Sequence, residues 1–316
     1  MGVGIRSFLG APSVAPSADA LRRDGVKAAF LGIPYEGANM YRYGQSGGPS
    51  AVREATGQFF SYHYDYDVDL LEAYNLADCG DVATVPADVA ASHVRMKETT
   101  LELLEAGVLP LIQGGDHSIP LGTIRALSEH TPGRVGLIQF DCHLDSSDEA
   151  FGSRQTGSSH LRRTAELPNV DPRNIVHIGS RGLWNPKEQA DYCADAGINV
   201  YRMRDVRRLG IAQVVKEAIE LASDGTDAVA LDVDLDALDC PHAPGVCSPE
   251  PGGLTSGQLF EAIDLVGQSG VVKLAQVVEL APIWDPSGLG ARMACYVFFT
   301  LLGANAVNLN GAGAHA

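Results

Sequence analysis

Two short runs in which acidic residues alternate with apolar ones constrain this chain more than any other feature. The first is FDCHLD at positions 140–145, and the second is LDVDLD at positions 231–236. Each follows an apolar run that is typical of a buried β-strand, and alternation in an extended chain places every second side chain on the same side. Burying several unpaired carboxylates is very costly. We therefore expect divalent metal ions between the two runs, which predicts a metal-dependent hydrolase.

Strand and helix patterns alternate along nearly the whole chain. Apolar runs of strand length are separated by segments whose apolar residues recur at helical spacing. This alternation predicts a three-layer α/β/α sandwich with a mostly parallel sheet covered by helices on both faces. Residues 206–223 are expected to form one helix. No composition break marks a second domain, so residues 1–316 are expected to form one domain, with 1–27 as an N-terminal surface extension.

Composition limits the possible partners. The formal net charge of −16 argues against nucleic acid and anionic membranes, and it would attract a cationic small molecule. No segment has the pattern of a signal peptide or the length of a transmembrane helix. The cysteines show no CxxC spacing, which in such a chain predicts reduced thiols. A cytoplasmic protein is the simplest interpretation.

Four of the predicted strands end in polar residues. Ligands of open α/β sheets bind beyond the carboxyl ends of the strands, and parallel strands bring those ends to one edge. One acidic strand end alone is more simply a solvated surface group, but four together predict a shared site. The four polar sequences are GGDHS at 114–118, DCHLD at 141–145, DLD at 234–236 and Glu279.

These motifs, in this order, resemble the ureohydrolase family of arginases and agmatinases, and in particular its agmatinase-like branch. The segments YRYGQSGGP at 41–49, VREA at 52–55 and IWDPSG at 283–288 also look like motifs of that family. The resemblance covers most of the chain. It implies the arginase/deacetylase-like fold and a homo-oligomer, most often a trimer or hexamer.

The resemblance also implies two Mn²⁺ ions, with Ni²⁺ or Zn²⁺ as alternatives because carboxylate and imidazole ligands suit all three. Two metal ions about 3.5–4 Å apart would hold a hydroxide near neutral pH. This hydroxide would attack the carbon of a guanidinium group that Glu279 holds. The implied ligands are His117 and Asp145 for one ion, His143 and Asp236 for the other, and Asp141 and Asp234 for both.

The chain departs from the family at several positions near this site. Asp232 begins the second acidic run where relatives carry a small hydroxyl residue, and we expect it to support a metal ligand from behind. Asp116 is expected to do the same or to cap a helix. The sequence TGSSH at 156–160 replaces a His-Gly motif of arginases and agmatinases, which leaves Thr156 and His160 as candidate substrate contacts.

We therefore predict a binuclear amidinohydrolase that converts agmatine or a guanidino acid into urea and an amine. The alternative enzyme is a formimidoylglutamase that releases formamide, because formimidoylglutamases also lack the missing histidine. A non-catalytic family member that binds a ligand or holds an assembly together is the alternative from another class. A metal-dependent deacetylase on a related fold is a weaker possibility, because its ligand pattern uses fewer carboxylates.

Overall fold

The computed structural model describes residues 6–313, and it describes side chains as far as residue 307. Ten strands lie in this part of the chain. They are β1 (Ala28–Gly32), β2 (Tyr62–His63), β3 (Val68–Asp69), β4 (Ala77–Asp81), β5 (Leu109–Gln113), β6 (Val135–Phe140), β7 (Val170–Ile178), β8 (Asn199–Tyr201), β9 (Ala228–Asp234) and β10 (Val272–Val278). Eight of them form one sheet in the order β4-β1-β5-β10-β9-β6-β7-β8, and every neighbouring pair is parallel. The remaining two, β2 and β3, form a short antiparallel hairpin.

Helices cover both faces of the sheet. They are α1 (Ala18–Arg23), α2 (Gly48–Thr56), α3 (Leu70–Tyr74), α4 (Val89–Glu105), α5 (Pro120–His130), α6 (His160–Ala165), α7 (Lys187–Ala196), α8 (Met203–Leu209), α9 (Ile211–Ser223), α10 (Ser256–Ser269) and α11 (Leu289–Gly313). One buried apolar cluster includes side chains of α2, α9, α10 and α11, and a second includes those of α4, α5, α6 and α7. The predicted three-layer α/β/α sandwich with a parallel sheet is confirmed.

Local sequence sets the ends of these helices. The Thr255 hydroxyl accepts a hydrogen bond from the Gln258 backbone N–H at 3.2 Å, and the Gln258 side chain accepts one from Thr255 N–H at 3.0 Å. This reciprocal capping starts α10, and Gly270 ends it with φ 69°. The Asp88 carboxylate caps the Ala91 N–H at 2.9 Å, so α4 begins at Val89.

The helix predicted over 206–223 is instead two helices. Gly210 separates α8 from α9 with φ 84° and ψ 147°, which lies outside helical geometry. Glycine adopts this conformation without a Cβ clash, so the apolar spacing continues across a break in the backbone. The pattern was correct for the buried face and wrong for the continuity of the helix.

The N-terminal segment is anchored to the core by a few apolar side chains. Phe8 is fully buried and its ring stacks on that of Phe30, with the ring centroids 4.4 Å apart. Leu21 in α1 is also fully buried. Most of residues 6–27 are exposed or partly exposed, so the described part of the segment lies along the surface while a few large apolar residues among Ala, Pro and Ser anchor it. Residues 1–5 lie outside the described part.

Helix α11 closes one face of the sheet. By length and apolar composition alone its Leu289–Val307 portion could cross a membrane, contrary to the expectation that no segment reaches that length. Of this portion, 72% is buried inside the structure. Such burial is typical of the core helix of a large domain, where apolar residues surround the helix on most sides.

A buried ion pair joins α2 to the sheet edge. Arg53 Nε lies 2.8 Å from Asp78 Oδ2, and the two side chains are only 11% and 4% exposed. The Asp78 carboxylate also accepts a hydrogen bond from the Phe8 N–H. The Arg53 guanidinium lies over the Phe30 ring at 4.8 Å. This contact fixes the N-terminal segment and β4 to the same helix.

Candidate metal centre

The four strands whose polar ends predicted a site are adjacent in the middle of the sheet, in the order β5-β10-β9-β6. Their carboxyl ends therefore meet at one edge. The loop after β5 reaches this edge because it begins with two glycines: a Cβ on Gly115 would overlap the backbone of Tyr35. This close approach positions His117 above the ends of β9 and β6.

His117 lies at the centre of a carboxylate cluster. Its Nδ1 is 3.2 Å from Asp141 Oδ2, 3.3 Å from Asp145 Oδ2 and 2.9 Å from Asp234 Oδ2. The imidazole is 2% exposed, and this nitrogen has no hydrogen-bond partner in the described structure. The structure thus brings His117 together with Asp141, Asp145 and Asp234, the set of ligands that the resemblance implied for one ion.

His143 forms the second part of the cluster. Its Nδ1 lies 3.0 Å from Asp236 Oδ2 and 3.8 Å from Asp141 Oδ1. Ligand atoms of Asp141, Asp234 and Asp236 all lie within 4.8 Å of one another. Asp141 and Asp234 therefore lie between the two histidines, which is where residues shared by two metal ions would have to be.

The buried carboxylates of the cluster repel one another, and this changes their pKa values. Burial, followed by the nearby Asp145 and Asp236 carboxylates, raises the pKa of Asp141 to about 7. Burial together with Asp236 and Asp141 also raises the pKa of Asp234 well above its ordinary value. Burial acts in the same direction on Asp236, but the His143 imidazole outweighs it and the pKa of Asp236 is lowered. The cluster has too little positive charge of its own to keep every carboxylate ionised.

A family model described as the Arginase family matches residues 26–303. The chain belongs to the arginase family. Among its curated relatives, the guanidinopropionase of Pseudomonas aeruginosa is 32% identical over 307 residues, covering 95% of this chain and 91% of the relative. The formimidoylglutamase of Halalkalibacterium halodurans is 31% identical over 286 residues, covering 90% and 88%. These relatives act on different amidine compounds by name, so family membership alone leaves the substrate open.

A solved structure agrees with this assignment. The proclavaminate amidinohydrolase of Streptomyces clavuligerus superposes with a TM-score of 0.86 at 26% identity, covering 96% of this chain and 98% of that chain. The arginase-family fold, with the site at the edge of its parallel sheet, extends over nearly the whole chain.

The residues of this arginase-family site fit a pair of divalent metal ions. A buried histidine nitrogen without a hydrogen-bond partner lies among three carboxylate oxygens, and a second histidine lies against a fourth carboxylate. Oxygen and imidazole donors are those that Mn²⁺, Ni²⁺ and Zn²⁺ accept. The protein is accordingly a metal-dependent hydrolase of the arginase family, with a candidate binuclear site in the predicted place.

Glu279 contacts the cluster from the end of β10. Its Oε1 accepts a hydrogen bond from the His117 backbone N–H at 2.6 Å, and its Oε2 accepts one from Gln45 Nε2 at 3.1 Å. Glu279 has φ 67° and Asp145 has φ 44°, and both values lie in the left-handed region that residues other than glycine rarely adopt. Burial, and then the Asp116 carboxylate, raises the pKa of Glu279 to about 8.

A cavity of about 410 Å³ opens onto this cluster. Its inner wall is formed by the site residues, and its outer wall combines apolar, aromatic and neutral polar side chains. None of the described residues that line it is Lys or Arg. The lining residues are Asn39, Met40, His117, His143, Asp145, Ser147, Ala150, Phe151, Gly157, Ser158, Trp184, Gln189, Asp234, Asp236, Cys247, Ser248 and Glu279.

The structure does not place Thr156 or His160, the two predicted substrate contacts, among the residues that line the cavity. The Thr156 hydroxyl bonds to Ser159 Oγ at 3.1 Å and caps a short turn. His160 is fully buried behind the cluster, with its Nε2 3.4 Å from Asp145 Oδ2 and its ring stacked on His117 at 3.9 Å. The residues of this segment that line the cavity are Gly157 and Ser158.

Asp116 and Asp232 have different roles behind the cluster. The Asp116 carboxylate accepts hydrogen bonds from Ala38 N–H at 2.9 Å and Ser118 N–H at 3.0 Å, so it organises the loop but does not cap α5, which has no side-chain cap. Asp232 Oδ2 lies 3.0 Å from His117 Nε2. Asp232 therefore contacts a predicted ligand from behind, as the second acidic run suggested.

Sequence reasoning missed two amides that belong to this site. Gln139 Nε2 donates to Asp141 Oδ2 at 2.8 Å, and Gln276 Nε2 donates to Asp232 Oδ1 at 2.9 Å. Both are fully buried within strands. A single glutamine inside an otherwise apolar strand was the available signal, because a buried amide requires a polar partner.

Proposed function

We propose that this hydrolase uses two Mn²⁺ ions to cleave a guanidino compound, agmatine or a guanidino acid, into urea and an amine. The observation that carries the proposal is the position of Glu279, whose buried carboxylate lines the same cavity as the carboxylate–imidazole cluster. A carboxylate can pair bidentately with a planar guanidinium. That pairing would hold the guanidinium carbon next to the metal ions in the orientation that hydrolysis requires.

The geometry of the cluster supports the ligand assignment that the resemblance implied. In the proposal, Asp141 and Asp234 are shared, and each histidine binds one ion. The remaining ligands are Asp145, on the side of His117, and Asp236, on the side of His143. When bound, such a metal pair supplies Lewis acidity and a nucleophile at neutral pH.

Glu279 is held ready to orient the substrate. Each of its carboxylate oxygens already accepts one hydrogen bond, from His117 N–H and from the Gln45 side chain. Each oxygen keeps a second lone pair for a guanidinium N–H. Since Glu279 is only 6% exposed, water competes little for these positions. A planar cation at this position would offset the burial that raises the pKa of Glu279 and would favour the ionised carboxylate that accepts its N–H groups.

The outer wall of the cavity supports a guanidino compound over formiminoglutamate. Formiminoglutamate carries two carboxylates, and the described lining has no Lys or Arg to pair with them. The aromatic residues Phe151 and Trp184 line the cavity instead, and aromatic side chains suit an alkyl or cationic tail. Among the proposed substrates this wall favours agmatine over a guanidino acid.

Formimidoylglutamase activity is the second candidate, and a specific observation favours it. The Halalkalibacterium halodurans relative of that name is about as similar to this chain as the guanidinopropionase. The chain also has Thr156 where the resemblance led us to expect a histidine in arginases and agmatinases. The substrate must therefore be decided by assay.

The deciding experiment is a substrate panel with two product readouts. Purified protein is preincubated with Mn²⁺ and offered agmatine, 3-guanidinopropionate, 4-guanidinobutyrate, arginine and formiminoglutamate. We expect urea from at least one guanidino compound, with agmatine the best. Formamide from formiminoglutamate without urea from any other compound contradicts the proposal. No product from metal-loaded protein would favour the non-catalytic alternative. A cytoplasmic location and a trimer or hexamer stay predictions, the latter testable by light scattering.

A further inference from the structure

A row of buried polar side chains crosses the middle of the sheet beneath the metal centre. Asp232 on β9 is in register with Gln139 on β6 and with Gln276 on β10. All three side chains are fully buried, and their strand neighbours are apolar. Buried polar groups are nearly always hydrogen-bonded, so these three side chains require polar partners inside the protein.

The hydrogen bonds on one side of this row have a defined direction. The Thr123 hydroxyl donates to Gln276 Oε1 at 2.6 Å, and Gln276 Nε2 donates to Asp232 Oδ1 at 2.9 Å. An ionised carboxylate only accepts, so His117 must donate its Nε2 proton to Asp232 Oδ2 at 3.0 Å. The tautomer of His117 is thereby fixed, and its Nδ1 lone pair is directed at the carboxylate oxygens of the cluster.

The ring of His117 is also held from its face. His160 stacks on it with ring centroids 3.9 Å apart and an interplanar angle of 27°. His160 is itself held by contacts of its Nε2 with Asp145 Oδ2 at 3.4 Å and with Gln139 Nε2 at 3.5 Å. His117 therefore has little freedom to rotate or to move away from a bound ion.

His143 has no comparable support. Its Nδ1 faces the Asp236 carboxylate, but its Nε2 has no hydrogen-bond partner in the described structure. Its side chain is 11% exposed, against 2% for His117. The nearest aromatic contact is Trp184, 5.7 Å away at the cavity wall. The two halves of the centre thus differ in how rigidly each histidine is held.

We infer that the two metal sites are unequal, and that Asp232 is the positioning residue that makes the His117 site the tighter one. A carboxylate behind a metal-binding histidine orients the ring and raises its basicity, and losing such a partner typically lowers metal affinity about 10–100-fold. The His117 site fills first and keeps its ion when the His143 site is empty. This inference rests on the metal-binding part of the proposed function.

Calorimetric titration of metal-depleted protein with Mn²⁺ tests this inference. We expect two binding steps whose affinities differ at least tenfold. Asp232→Asn, which keeps the shape but removes the charge, should weaken the tighter step about 10–100-fold and leave the weaker step unchanged. Asp285→Asn is the control, since it alters a buried carboxylate that bonds to the loop before α11 and lies outside the cavity lining. It should preserve both steps.

The possible outcomes distinguish a failure of this inference from a failure of the proposed function. No Mn²⁺ binding by the wild-type protein means that the proposed manganese site itself is wrong. Two equal steps, or an Asp232→Asn variant that weakens only the looser step, overturn the inference and leave the metal site standing. If Asp232→Asn does not fold by circular dichroism, Gln276→Leu removes one donor to Asp232 and should weaken the tighter step by a smaller factor. An unchanged tighter step in folded Gln276→Leu would then count against the inference.

Discussion

Replacing Glu279 by Gln tests the proposed orientation of the substrate most directly. The change conserves shape but puts an NH₂ group where one carboxylate oxygen now accepts from His117 N–H or from Gln45. It also removes the negative charge that would face the guanidinium. Two hydrogen bonds to a charged group contribute about 1.5–3 kcal/mol each, so roughly 3–6 kcal/mol of binding in the transition state is lost. This corresponds to a fall in kcat/KM of about 10²–10⁴-fold.

The assay is steady-state urea release from the best guanidino substrate, measured together with metal content. Since Glu279 is not a proposed ligand, Glu279→Gln should keep two metal ions per chain by mass spectrometry while kcat/KM falls. Glu250→Gln, a change outside the cavity lining, is the control and should keep full activity. If Glu279→Gln retains kcat/KM within tenfold of the wild type, the reasoning about the guanidinium is refuted. A loss of metal in the same variant would assign Glu279 to the metal site instead.

Three further predictions test the centre, the fold and the cavity. Asp141→Ala should abolish urea release and metal content together, because Asp141 lies between the two histidines and is proposed to bind both ions. A variant that keeps two metal ions and activity contradicts the proposal that Asp141 is shared. Arg53→Met should lower stability by about 3–5 kcal/mol in urea unfolding, since it leaves a buried carboxylate unpaired. Arg173→Met is the control, because it removes an ion pair whose arginine is 77% exposed, and it should change the free energy of unfolding by less than about 1 kcal/mol. Equal losses of stability in the two variants would refute the argument that burial makes the Arg53 ion pair important. Trp184→Leu should raise KM for agmatine severalfold, whereas Trp284→Leu, outside the cavity lining, should not.

Much of the fold and of the metal centre could be predicted because the informative residues recur at the spacing of strands or helices. The two acidic runs alternate as strands require, and their strands proved to be neighbours, β9 and β6, in a parallel sheet. Alternation and strand ends are local properties, so they are visible in the sequence. The order of strands is not local, but a parallel sheet brings all carboxyl ends to one edge whatever the order.

The errors arose where the outcome depends on distant contacts. His160 was predicted at the substrate because it follows a motif position, but helix α6 directs it behind Asp145, under the ring of His117. The break at Gly210 was missed because apolar spacing records which face is buried and not whether the backbone is continuous. Gln139 and Gln276 were missed because the partner that explains each buried amide lies on another strand or at the strand end.

The left-handed backbone at Asp145 and Glu279 links activity to stability. Holding a side chain in this region costs on the order of 1–3 kcal/mol per residue, and glycine would relieve most of it. Glycine at position 279 would also remove a carboxyl group whose ionised form burial disfavours. The chain therefore keeps two residues whose backbone conformation makes the fold less stable than glycine would at the same positions. Selection for heat resistance alone is expected to accept glycine at these two positions and to lose activity as a result.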